Sequence, residues 1–268
     1  MTAPAAGAPA AGPARAAGAV TMAALVRAEF RKLTTVRGPW LLLAAGPLIV
    51  VAGVSGLVVS GGNVRDPALQ GQAYAHVGLA AVCTLVFGIL AVAGEYRHAT
   101  ITDTYLSAPR RGRALAAKLA VYGAAGAAAG LASALTAIGV TAAWWAAKGG
   151  AFHLSAAGTW SALAGGVAAN LALAAVGVGL GALIRNPVAA IAAGLAWIAL
   201  IEGIAGQLTG AAVARWLPLA ASESLDRASL TASAARLLPQ WAGGLVLAGY
   251  AGAFAAAALI TTLRRDVT

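Results

Sequence analysis

Charge is what this chain has least of. Only 10% of its 268 residues are Asp, Glu, Lys or Arg, while 60% are hydrophobic and the mean hydropathy is +0.83. A typical soluble domain carries roughly 25% charged residues. So little charge cannot clothe a water-facing surface, and lipid is the solvent expected for most of the chain. Acid is scarcer than base: eight Asp and Glu face eighteen Lys and Arg, a formal net charge of +10. No basic stretch alternates with stacking aromatics, which sets aside a nucleic-acid surface. In a membrane protein, excess Lys and Arg mark the cytoplasmic loops.

Chemistry-bearing residues are equally sparse. The single cysteine, Cys83, excludes an internal disulfide framework and any cysteine-rich metal site, and it lies in an apolar run. His76, His98 and His153 stand apart, and no His-Glu-x-x-His occurs. None of Lys32, Lys118 and Lys148 follows a glycine, so the chain has no Walker A phosphate loop. No serine occupies a Gly-x-Ser-x-Gly elbow. No catalytic residue, metal site or cofactor is therefore expected, and the chain cannot hydrolyse ATP by the Walker A route.

What is present is long apolar runs. About 20 mostly apolar residues cross 30 Å of hydrocarbon. Six runs qualify, over residues 40–60, 74–93, 115–147, 161–184, 188–208 and 241–263. The third is long for one span, so its start is expected to project or tilt. The fold class predicted is all-α: a polytopic membrane protein with six transmembrane helices in one unit, residues 23–268. Residues 1–22 are almost entirely Ala, Pro and Gly. Pro4, Pro9 and Pro13 interrupt any signal-peptide core, so a disordered tail is expected there. Met22 stands just before the first patterned residues and is an alternative start.

Six spans put both termini on one side, and charge picks the side. With the N-terminus inside, the cytoplasmic set contains Arg15, Arg27, Arg31, Lys32, Arg37, Arg97, Arg110, Arg111, Arg113, Lys118, Arg185, Arg264 and Arg265. The outer set is Arg65, Lys148, Arg215, Arg227 and Arg236. Thirteen against five predicts cytoplasmic termini. Before the first span, Val26, Phe30 and Leu33 recur at helical spacing between Arg27, Arg31 and Lys32. That pattern predicts an amphipathic helix lying at the cytoplasmic interface. Residues 209–240 are too broken to span and predict short helices resting on, or dipping into, the outer leaflet.

Three Gly-xxx-Gly pairs, Gly126/Gly130, Gly177/Gly181 and Gly206/Gly210, have the spacing that lets helices approach closely. Glu202 is the clear ionisable residue inside a span. An intramembrane carboxylate is costly unless paired, which makes Glu202 a candidate for a substrate pathway or for structural hydrogen bonding.

The most patterned polar stretch joins the second and third spans. Gly94-Glu-Tyr-Arg97 leaves the membrane, a Thr-rich segment follows, Pro109 stops it, and Arg110, Arg111 and Arg113 precede Lys118. Such a loop is shaped to present a small helix to something in the cytoplasm. Here the chain resembles the ABC-2 type permeases, the membrane subunits of many bacterial ABC exporters. The matching residues are Glu95, Tyr96, Arg97, Thr100, Ile101, Pro109, Arg111 and Lys118. Glu29-Phe-Arg-Lys-Leu33 with Arg37, Arg185-Asn-Pro187 and the long outer segment extend the match beyond about Ala23. One departure is Ala99, where many relatives place glycine, so a less tight turn is expected.

The resemblance implies a permease subunit in a bacterial cell (inner, plasma) membrane, paired as a homodimer or heterodimer and coupled to a separate ABC ATPase. It assigns Glu95, Tyr96, Arg97, Thr100 and Thr102 to the docking loop. Rival readings are a membrane enzyme built from Glu202, Asn170 and His76, an ion-coupled carrier using Glu202, and a peptide-binding immunity protein. A fold that brings Glu202, Asn170 and His76 into contact would favour the enzyme.

Overall fold

A computed structural model of the chain describes residues 20–102, 104, 110–155, 158–227 and 237–263. Residues 1–19 of the tail expected to be disordered, the loop proline Pro109, and Arg236, Arg264 and Arg265 lie outside them, while Thr21 and Met22, placed in that tail, cap and open α1. Among the described residues every regular element is helical. The order is α1 (Met22–Thr35), α2 (Gly38–Val59), α3 (Pro67–Leu79), α4 (Ala81–Arg97), α5 (Arg111–Lys148) and α6 (Thr159–Ile184). Then come α7 (Pro187–Ala196), a π-helical turn (Trp197–Ile201), α8 (Glu202–Thr209), α9 (Ala211–Ala214), α10 (Pro218–Asp226) and α11 (Gln240–Leu263).

Six stretches are long and apolar enough to cross a membrane: Gly38–Val59, Pro67–Arg97, Arg111–Lys148, Thr159–Ile184, Pro187–Thr209 and Gln240–Thr261. The second begins seven residues before its expected start. Hydropathy fades at Gln70 and Gln72, but Asp66 caps the helix by accepting from the Ala68 amide at 2.9 Å, and Pro67 is preset for the first helical position. The third span has 38 residues, about 57 Å at 1.5 Å each, nearly twice the hydrocarbon thickness. The surplus has a use: the first turns of α5 carry α1, with Leu25 packed on Ala114 and Ala117.

Hydropathy cannot rank the spans by position, but burial does. The second and fourth bury 67% and 56% of their apolar windows, the first, fifth and sixth only 22, 17 and 22%. Helix α6 is accordingly the hub, packed against α3, α4, α5, α10 and α11. Asn170 stitches that hub to the second span where α3 gives way to α4. Its amide donates to the Val77 carbonyl at 2.9 Å, and the Thr84 hydroxyl donates back to the Asn170 carbonyl at 2.9 Å.

Glycine sets how closely the hub is approached. A Cβ on Gly177 would stand 2.2 Å from the Leu85 carbonyl oxygen, and one on Gly181 2.5 Å from that of Ile89. At Gly126 the same atom would lie 2.6 Å from the Asn170 carbonyl oxygen. Two of the three expected pairs are thus close helix contacts. The third is not: Gly206 meets nothing nearer than 3.6 Å, and Gly210, at φ +75°, ends α8. The described part of residues 209–240 forms α9 and α10, and α10 sits inside the bundle against α3, α6 and α11, with Ala221, Leu225 and Asp226 buried.

Gly177→Ala is expected to lower stability by about 1–3 kcal/mol, since backbone on both sides must move. Gly206→Ala should change it by less than about 0.5 kcal/mol. Thermal unfolding in one detergent compares them, and equal midpoints for the two variants would refute the packing assignment.

Candidate functional site

Lys118 stands at the third turn of α5, 2% exposed, in an otherwise apolar span. Burying an ammonium without partners costs several kcal/mol. All three of its N–H groups are used: to Glu29 Oε2 at 2.8 Å, Glu95 Oε1 at 2.7 Å and the Ala91 carbonyl at 3.3 Å. The Tyr122 ring lies 5.9 Å from the same nitrogen, within cation–π reach.

Lys32, on α1, closes the other side. Its ammonium donates to Glu29 Oε1 at 2.8 Å, Glu95 Oε1 at 2.7 Å and the Thr104 hydroxyl at 3.1 Å. Two lysines and two glutamates therefore form a closed ring in which every neighbour has opposite sign. The ring joins α1, the end of α4, the residue Thr104 beyond it and the base of α5. Burial works against the Lys32 charge, but hydrogen bonds and attraction from Glu29 and Glu95 outweigh it and raise its pKa.

The five expected docking residues divide. Arg97, Thr100 and Thr102 are exposed. The Glu95 carboxylate is instead turned into the ring, its side chain 12% exposed. Tyr96 lies under Arg185, whose guanidinium carbon is 5.5 Å from the ring centroid, bringing the Arg185-Asn-Pro187 turn beside the Glu95 motif. At Ala99 the turn is not looser for want of glycine. Ala99 takes φ +56°, and the Thr100 amide still donates to the Glu95 carbonyl at 3.0 Å. The left-handed backbone costs an alanine about 1–2 kcal/mol.

The i,i+3 spacing of Glu29 and Lys32 hinted at part of the ring. Lys118 was the stronger signal: an ionisable residue just inside an apolar run meets the same criterion that singled out Glu202. Counting it with the loop charges concealed it, since its charge is consumed inside the bundle. Helix α1 spans the expected stretch but buries a neighbouring face. The stripe of Val26, Phe30 and Leu33 is not the buried one; Leu25, Glu29 and Leu33 are buried, and Phe30 is 57% exposed.

Glu202 lies directly after the π-helical turn and caps α10. Both carboxylate oxygens accept from the Leu219 amide at 2.9 Å, and Oε2 accepts from Ala220 at 3.4 Å. Those amides open α10, where Pro218 has no N–H and Leu217 supplies no side-chain cap. A carboxylate is favoured there by the helix dipole. Glu202, Asn170 and His76 have separate partners: Asn170 bonds Val77, and the His76 Nδ1 bonds the Gln72 and Ala73 carbonyls. No hydrogen bond joins any two of the three among the described residues. No group of three or more His, Cys, Asp and Glu able to hold a metal occurs among the described residues either.

At the other end of the bundle a cavity of about 780 Å³ opens between the start of α3, the turn after α5 and the end of α10. Arg65, Asp66, His153, Asp226 and Arg227 line it, and Gln70 fixes one wall by donating to the His153 carbonyl at 2.7 Å.

These features define a helical, multi-pass membrane protein with a buried ion-pair ring at one end and a polar cavity at the other. No protein-family model matches the chain, and no curated protein matches it. The ABC-2 resemblance thus stands on its motif residues alone.

Lys118→Met is expected to destabilise the protein by about 3–5 kcal/mol, because two buried carboxylates lose their shared partner. Lys32→Met should cost far less, since its side chain is 40% exposed and water can replace it. The Lys32 contribution is fully present below pH 10.5 and is lost only as pH rises through the raised pKa. Thermal midpoints of the two variants between pH 6 and 9 check the ranking, which fails if Lys32→Met is the worse. Glu202→Ala should leave the α10 amides unpaired at about 1–3 kcal/mol and speed their exchange with deuterium. Unchanged exchange at Leu219 and Ala220 would rule out the capping role.

Proposed function

We propose that the chain is the transmembrane subunit of an ATP-binding cassette exporter of the ABC-2 permease type, in the cell (inner, plasma) membrane of a bacterium. Both termini are cytoplasmic, α1 lies at the inner membrane surface, and two permease chains, identical or different, enclose the substrate pathway. A separate ATPase binds the loop after α4. The observation that carries the reading is the position of Glu95. This residue of the Glu-Tyr-Arg motif is bonded to both Lys32 and Lys118. The exposed face beside it, Arg97, Thr100 and Thr102, would receive the ATPase.

A push on that face acts on α1, α4 and the base of α5 together, because the ring ties all three. Differential packing of the two states then moves substrate, and the chain supplies no hydrolysis. The shallow burial of the first, fifth and sixth spans leaves apolar faces for lipid and for a second permease chain. A second reading draws on the outer cavity, whose mixed charges suit a peptide bound without transport.

Glu95 is a poor probe of docking, since replacing it also breaks the ring. Arg97→Glu/Thr102→Glu changes only exposed side chains. Co-purification with the ATPase encoded nearest this chain should show stable association for wild type. The double variant should retain at least tenfold less ATPase at an unchanged melting temperature. Folded wild type that captures no ATPase would sink the permease reading and leave the peptide-binding one.

A further inference from the structure

On the membrane side of α1 a second, apolar cavity of about 610 Å³ runs between α1, α2 and α5. That volume lies within the roughly 300–1,000 Å³ of small-ligand sites. Phe30 and Leu33 form its upper edge, Leu43 and Pro47 one wall, and the alanine face of α5 between Ala120 and Ala132 the other. The groove exists because its two walls meet only further along: Gly46 and Ser133 are in close contact, and Val50 and Val54 are fully buried. Toward α1 the alanines are too short to fill the gap.

The lining of this groove is wholly apolar, and the nearest cations in sequence are arginines of α1 and of the turn before α2. Around α1 the buried face of Leu25, Glu29 and Leu33 gives way to Val26 and Phe30 at the groove. Arg27 and Arg31, one residue on from each, follow at about 100° per step. Arg37 caps α2 one turn before Trp40, another groove residue. Arg27, Arg31 and Arg37 are exposed and have no ion-pair partner among the described residues. The neighbouring cation Lys32 is consumed by the ring, so these three guanidinium groups remain for an outside anion. An apolar slot whose lining residues Val26, Phe30 and Trp40 are followed or preceded within one turn by three exposed arginines has the chemistry of one ligand class, an acyl chain bearing a phosphate.

We propose that the groove between α1, α2 and α5 holds one anionic phospholipid, its acyl chain along the alanine face and its phosphodiester on Arg27, Arg31 and Arg37. Basic pockets between membrane helices bind such headgroups, and guanidinium matches phosphate oxygens in pairs. The bound lipid wedges α1 against α5 from the side opposite the ion-pair ring. This site rests on the membrane placement of the chain and is independent of any ATPase.

The full-length protein, equilibrated in micelles with equal amounts of phosphatidylglycerol and phosphatidylcholine of matched chains, tests this by native mass spectrometry. One phosphatidylglycerol per chain should be retained with at least tenfold preference. Arg27→Gln/Arg31→Gln/Arg37→Gln should abolish the preference. Ala128→Phe, which fills the alanine face and keeps every arginine, should remove the retained lipid of either kind. Equal retention of the two lipids by wild type overturns the proposal, whatever the variants do. So does a preference that survives the triple substitution. Ala128→Phe that dissociates a dimer without changing lipid retention would assign the groove to a second copy of the chain, and the lipid proposal falls. No ATPase enters this assay, so its failure leaves the permease reading standing, and the reverse holds too.

Discussion

A lysine and a glutamate cannot leave water one at a time. Each charge carried into low dielectric costs several kcal/mol unless an opposite charge and a full set of hydrogen bonds arrive with it. In this chain the requirement is met by four side chains from three helices, with each ammonium using all three hydrogens. The half of the bundle that carries α1 depends on that closure. Helix α1 has one short apolar stripe and a carboxylate at its centre, so it can pack on α5 only when Lys118 is there to receive Glu29. Hydrophobic burial holds the hub around α6, whereas ion pairing fixes how the first helix and the loop after α4 sit upon it.

That division explains which parts of the molecule could be read in advance. Six spans follow from length and hydropathy alone, and the six runs correspond one for one to the six long apolar helices, with ends displaced by a few residues except at Pro67. The displacement there is instructive. Gln70 donates to the Tyr74 hydroxyl and to the His153 carbonyl in the turn after α5, so polar residues extend the helix beyond the apolar run through a tertiary partner that no local window contains. Glycine spacing was legible for α4, α5 and α6 because close approach needs small residues at fixed intervals. The same spacing at Gly206 and Gly210 carried no contact, since Gly210 serves the backbone rather than the interface.

The ring was legible only in fragments. Its members lie up to 89 residues apart, and the pairing of Glu29 with Lys118 needs the register of α1 on α5, which sequence spacing does not contain. Residue chemistry without context groups Lys118 with the loop charges and gives no sign that the Glu95 carboxylate turns inward. Glu202 was correctly singled out as an anomaly, but its partners are backbone amides, which leave no trace in side-chain identities. Ala99 shows the converse. Its left-handed backbone is retained despite the missing glycine, because the hydrogen bonds at either side of the turn fix the conformation locally.

The capping of α10 by Glu202 has a mechanical consequence. The fifth span is the least buried of the six and is held to the rest of the bundle partly through one carboxylate, placed just after a π-helical turn where the ladder is irregular. Rotation of that span about its own axis must either release two amides in an apolar setting or carry α10 with it. Helix α10 ends at Asp226, which with its C-cap Arg227 lines the polar cavity at the end of the bundle away from the ring. Glu202 is thus a tie rod: torque applied to the least buried span is delivered to the shape of the polar cavity without passing through the hub.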